Sequence, residues 1–92
     1  MANFYIIAYD PATTASADLH KIIESNPSFI SWWHYIKTIY IVKTNESLST
    51  VQKDILSKWP KNRFIIIKLD PTVRNGWLPP DAWEWFKKKV DQ

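Results

Sequence analysis

Asp10 closes the apolar run Phe4 to Tyr9 and is followed by Pro11. A carboxylate at a strand end can ligate a divalent cation. Two copies brought together across a two-fold axis would offer the few protein oxygens that Mg²⁺ needs when phosphate supplies the rest. An aspartate before proline also accepts backbone hydrogen bonds in a turn. The same pairing recurs at Asp70-Pro71, which favours the turn role for both. His34 lies between Trp33 and Tyr35, with Trp32 and Ile36 beyond them. As a general base it needs a carboxylate partner, and none is close in sequence. It otherwise hydrogen-bonds a phosphate or base edge while its neighbours stack, or sits half-buried in an aromatic cluster. His20, between Leu19 and Lys21, is expected to be solvated.

A third set mixes stacking rings with cations: Trp32, Trp33, Tyr35, Lys37, Arg74 and Trp77. Bases stack on Trp or Tyr for roughly 1–3 kcal/mol each, and Lys or Arg neutralises phosphate. With His34 these residues make the candidate ligand-binding set. They are split between the middle of the chain and its tail, and converge only if the tail folds back over the sheet or reaches a neighbouring subunit. Trp83 and Phe86 share a helical face and are expected to be packing residues. Gly-rich phosphate loops, nucleophile elbows and paired-histidine metal motifs are absent, and with one Gly most backbone phosphate cradles are excluded.

The elements that must position these residues follow from periodicity. Phe4 to Tyr9 is apolar on both faces and reads as a central strand ended by Pro11. Ala12 to Ser16 reads as a loop. Ala15, Leu19, Ile22 and Ile23 then recur at helical spacing up to Asn26-Pro27. Phe29 to Lys43 is too long for one average strand and should break near Lys37-Thr38, giving two paired strands or one bent strand. Ser47 is a suitable N-cap for a second helix with Leu48, Val51, Ile55 and Trp59 on one stripe. Arg63 to Leu69 is another strand, its Ile65-Ile66-Ile67 run predicting burial on both faces. Arg74 to Pro80 is a turn-rich connector, and Pro80 and Asp81 suit the start of a C-terminal helix carrying Trp83, Phe86 and Val90. The order strand, helix, two strands, helix, strand is that of a ferredoxin-like βαββαβ unit of α+β class with an added C-terminal Trp-rich helix. One domain spans 1–92, with a core at 1–70 and an extension at 71–92. The open face of such a sheet carries Tyr and Ile, and a homodimer is its simplest cover.

At 92 residues, 46% of them hydrophobic and 23% charged, the chain has the composition of a small globular domain. Six Trp, four Tyr and four Phe are more rings than so small a core can enclose, so some should line a ligand site or interface. Without cysteine, disulfides and Cys-based metal sites are excluded. The net charge of +3 allows anionic partners without demanding them. The N-terminus does not read as a signal peptide and no apolar run approaches a membrane span, so cytoplasmic residence is expected, in the host if the protein is phage-encoded.

Tyr9-Asp10 at the end of the first strand resembles the start of the small CRISPR-associated ferredoxin-like proteins, the dimeric subunit of the spacer-integration complex. The resemblance covers the element order over about the first 70 residues. The segment WWHYIKTIYIVK and the tail, NGWLP followed by AWEWF, are more similar to small bacterial and phage relatives of that family. In the CRISPR-associated proteins the matching aspartate is proposed to bind a divalent metal between subunits, which here implies Asp10. This chain ends in a Trp-rich helix where that family has a short charged strand.

The expected function is that of a non-catalytic oligomeric protein holding a nucleotide-type ligand without a cofactor. One form of it is a phage protein sequestering a cyclic-nucleotide immune signal. The modest charge favours a small anion over a long duplex. The alternatives are a Mg²⁺-dependent nuclease or nucleic-acid-binding subunit using Asp10, and a protein-interaction subunit.

Overall fold

The computed structural model describes residues 2–12 and 16–91, and the side chains of all of these but residues 16 and 17. Its elements are β1 (Asn3–Tyr9), α1 (Ser16–Ser25), β2 (Phe29–Ile36), β3 (Ile39–Thr44), α2 (Leu48–Lys58), β4 (Phe64–Lys68) and α3 (Pro80–Lys89). The protein is a small α+β structure with one four-stranded sheet in the order β2-β3-β1-β4, each neighbouring pair antiparallel. Ala15, expected to begin the apolar stripe of α1, lies outside the described residues, as do 13 and 14 of the expected loop. Among the described residues no helix is long and apolar enough to cross a membrane.

Local chemistry sets the boundaries. Pro27 disfavours helical backbone at Asn26. The Asn26 side chain then closes the turn, its Oδ1 accepting from Ser28 N–H at 2.9 Å. Ser47 caps α2, its Oγ accepting from Thr50 N–H at 3.3 Å. Pro80 opens α3 and three lysines fill its last turn, where they face the negative end of the helix dipole.

One core lies between the sheet and α1 with α2. Tyr5, Ile7 and Tyr9 of β1 and Tyr40 and Val42 of β3 meet Leu19, Ile22 and Ile23 of α1 and Val51, Ile55 and Trp59 near α2. Leu48, expected on the same stripe, is exposed in the first turn of α2. Fully burying each aliphatic side chain of this set stabilises the fold by about 1.5–3 kcal/mol.

The opposite face, for which a second copy was the expected cover, is covered in part by α3, which folds back onto it. Trp33, Ile41, Ala82 and Phe86 form a second buried cluster there, flanked by Phe4, Ile6, Ile39, Trp83, Trp85 and Val90. Three contacts lock the helix down. Trp33 Nε1 donates to the Ala82 carbonyl at 3.1 Å, Trp85 Nε1 to Ser31 Oγ at 2.8 Å, and Lys43 Nζ to the Lys89 carbonyl at 2.9 Å.

The Ile65-Ile66-Ile67 run departs from expectation. Ile65 and Ile67 are 57% and 50% exposed. A helix about 10 Å across covers roughly two strands spaced ~4.8 Å apart. Since α3 is anchored on Trp33 and Ser31 of β2, the far edge at β4 lies beyond its reach.

Candidate functional site

The candidate residues on β2 are placed by a bulge. Trp33 pairs with Ile41 and Ile36 with Ile39, so His34 and Tyr35 both oppose the single residue Tyr40. An extra residue of this kind re-aims side chains. His34 stacks on the Tyr40 ring, 3.8 Å between centroids and 19° between planes. Tyr35 reaches the other face and meets Trp33 at 5.5 Å.

Tyr40 is therefore the centre of a ring cluster that contains both histidines. Its hydroxyl lies 3.2 Å from His20 Nδ1, and His20 Nε2 lies 3.1 Å from Glu24 Oε2. The carboxylate can only accept, so Nε2 carries a proton, and in the neutral ring Nδ1 accepts from the phenol. Trp32 closes the cluster edge-on to His20 at 4.9 Å. His20, expected to be solvated, is thus a built-in member. Glu24 and Tyr40, its partners, lie four positions and 20 positions away in the chain. Only the first spacing could have been read from the sequence, as an i, i+4 pair on a helix.

His34 is committed as well: its Nε2–H donates to the Lys37 carbonyl at 3.0 Å. The Tyr9 hydroxyl donates to the same carbonyl. Glu24, His20 and Tyr40 line up as a carboxylate–imidazole–hydroxyl relay, the order that activates a hydroxyl nucleophile. Here the hydroxyl end is wholly buried. Burial, with Tyr9 beside it, pushes the Tyr40 pKa up to about 12. With its hydroxyl end buried, the relay links β3 to α1. Its Glu24 end borders an open cavity of about 430 Å³ shared with Lys21 and Ser25.

Trp33 is 3% exposed and packs on Phe86 at 5.9 Å, so its ring faces no solvent. Arg74 forms a two-pronged pair with Asp91, at 2.7 and 3.1 Å, and lies 4.8 Å above the Phe86 ring. That hydrogen-bonded guanidinium holds the Asp91 carboxyl below its ordinary range, and Asp91 in turn raises Arg74. The pair ties the β4–α3 connector to the end of α3. Tyr35 and Lys37 are exposed. Trp77 is 97% exposed, and among the described residues no ring contact or hydrogen bond joins it to the strand set.

The structure thus brings Trp32 and His34 together on one face, and Trp33 and Tyr35 together on the other. Trp77 remains outside both groups. Its backbone lead-in is Gly76 at φ 153°, a conformation other residues rarely adopt.

Asp10 accepts from Ala12 N–H at 2.9 Å, and Asp70 accepts from Thr72 N–H at 3.0 Å. The Thr72 hydroxyl adds a 2.6 Å bond that holds the Asp70 carboxyl below its ordinary range. Asp10 also lines an open cavity of about 330 Å³ with Arg63, Phe64 and Ile65. Among the described residues, no three His, Asp or Glu side chains come together to hold a metal. Because asparagine keeps an acceptor for Ala12 N–H, Asp10→Asn is expected to leave the melting temperature within about 2 °C of wild type, an effect under ~0.5 kcal/mol. Phosphodiester cleavage dependent on Mg²⁺ that disappears in this variant would identify Asp10 as a metal ligand. In a comparison with known proteins the chain matches no family model and no curated protein.

Proposed function

We propose that the protein is a non-catalytic oligomeric binding protein of ferredoxin-like architecture that holds a nucleotide-type ligand, with Trp77 as the principal stacking ring. The nearly complete exposure of Trp77 is the observation that carries this reading. Every other tryptophan is buried or half-buried. An indole presents some 150–250 Å² for burial, and a base stacked on it contributes roughly 1–3 kcal/mol. Tyr35 and Lys37 add a second exposed ring and a cation. The ferredoxin-like assignment is supported by the order of the elements and by α1 and α2 sharing one sheet face. A protein partner is the second reading, favoured by Val73, 80% exposed in the same connector as Trp77.

Calorimetry and mass spectrometry against mono-, di- and cyclic oligonucleotides, beside short RNA and DNA, test the proposal. Stoichiometric binding with the ligand recovered intact is expected from at least one small member. Trp77→Ala should weaken that binding by roughly 10- to 100-fold, the loss of one stacked base. The melting temperature of the variant should be unchanged, because an exposed ring contributes little to the folded state. Failure of every member to bind removes the nucleotide reading, and equal binding by the variant removes Trp77 from it.

A further inference from the structure

The two edges of the sheet are built differently. The β2 edge is interrupted twice, between Phe29 and Ser31 and between Trp33 and Ile36. Such bulges blunt an edge against pairing with another strand. The β4 edge is unbroken: its register against β1 runs from Tyr5↔Lys68 to Tyr9↔Phe64 without a shift. Its centre, Ile65-Ile66-Ile67, holds no charge and no proline. A regular apolar edge of this kind is what monomeric proteins avoid.

The ladder shows which backbone groups point outward. Asp10 N–H donates to the Arg63 carbonyl at 2.9 Å, and Leu69 N–H to the Phe4 carbonyl at 3.0 Å. Hydrogen-bonded pairs alternate in an antiparallel ladder. Ile65 and Ile67 therefore direct their backbone groups to β1, and Phe64, Ile66 and Lys68 direct theirs away from the sheet.

We infer that β4 pairs with β4 of a second copy, antiparallel and centred on Ile66, so that two sheets join as one of eight strands. The outward groups match under this two-fold axis. Ile66 faces Ile66 of the partner subunit in a hydrogen-bonded pair, and Phe64 faces Lys68 of the partner subunit. Ile65 meets Ile67 of the partner subunit in the closer, non-hydrogen-bonded pairing, which collects four exposed isoleucines on the side that α3 leaves bare. No like charges stand opposite each other. A copy supplies a complementary strand by symmetry, and the pairing uses up both β4 edges, so the assembly closes at two. The inference gives a form to the oligomeric part of the proposed function and does not depend on the ligand.

Sedimentation velocity on the full chain tests it through charges placed at exposed positions. Wild type should sediment as a dimer at micromolar concentration. The double variant Ile65→Lys with Ile67→Lys sets like charges opposite each other and should weaken dimerisation roughly 100-fold or more. Ile65→Lys with Ile67→Glu sets opposite charges face to face in this register and should remain dimeric. Circular dichroism should be the same in all three proteins, since neither side chain belongs to a buried cluster. A monomeric wild type, a lysine pair that still dimerises, or a Lys/Glu variant no more associated than the lysine pair would overturn the β4 pairing. Each leaves the Trp77 binding test unaffected.

Discussion

Trp33→Ala is expected to lower the free energy of unfolding by about 3–5 kcal/mol, the range for truncating a buried aromatic residue. For a chain of 92 residues, each kcal/mol corresponds to about 4–8 °C in melting temperature. The effect is large because Trp33 performs two tasks at one point. Its ring packs on Phe86 and Tyr35, and its indole N–H holds the first turn of α3 through the Ala82 carbonyl. Removing it opens a cavity under α3, the helix that covers that face of the sheet among the described residues. Trp33→Phe keeps most of the ring contact and loses mainly the indole bond, for about 0.5–1.5 kcal/mol. Urea unfolding of both variants checks the ordering. Equal stabilities for the alanine and phenylalanine variants would show that α3 does not depend on this ring.

Tyr40→Ala should cost a similar ~3–5 kcal/mol. It removes the ring on which His34 stacks and leaves His20 Nδ1 without its hydroxyl partner. Tyr40→Phe isolates the hydroxyl and should cost about 0.5–1.5 kcal/mol. The same residue predicts a pH dependence with a definite sign. The folded Tyr40 pKa of about 12 lies above its ordinary 10.0. The contribution to stability is therefore fully present below pH 10.0 and is lost as pH rises toward about 12. Thermal melts across this window should fall more steeply for wild type than for Tyr40→Phe. An absorbance titration of the folded protein should lose a phenolate component ionising near pH 12 in that variant. Parallel declines in both proteins would contradict the buried-phenol account.

Of the proposed ligand set, three members have partners within the fold. Trp33 is enclosed beneath α3, His34 is held between Tyr40 and the Lys37 carbonyl, and Arg74 is paired with Asp91. The sequence could not separate these from Trp77, because a ring and a cation have the same chemistry whether they pack or wait for a ligand. The separation is a matter of what lies opposite each side chain. For Trp33 the answer is Phe86, 53 positions away, and for Arg74 it is Asp91, 17 positions away.

What the sequence determined by itself is the local structure. The hairpin break at Lys37-Thr38, the Ser47 cap, the Asn26-Pro27 stop and the start of α3 at Pro80 follow from rules that operate within a few residues. The recurrence of Asp-Pro at positions 10 and 70 likewise signalled a turn, and each aspartate binds the backbone two residues on. What only the tertiary structure decided is coverage. Apolar residues on both faces of a strand demand burial without saying what supplies it. Here α3 supplies it over the β2 side, while Ile65 and Ile67 stay about half exposed among the described residues. Likewise the β2 bulge, which brings His34 onto Tyr40, is a matter of register between two strands. Register and helix docking are set by non-local packing, and no window of the sequence contains both partners.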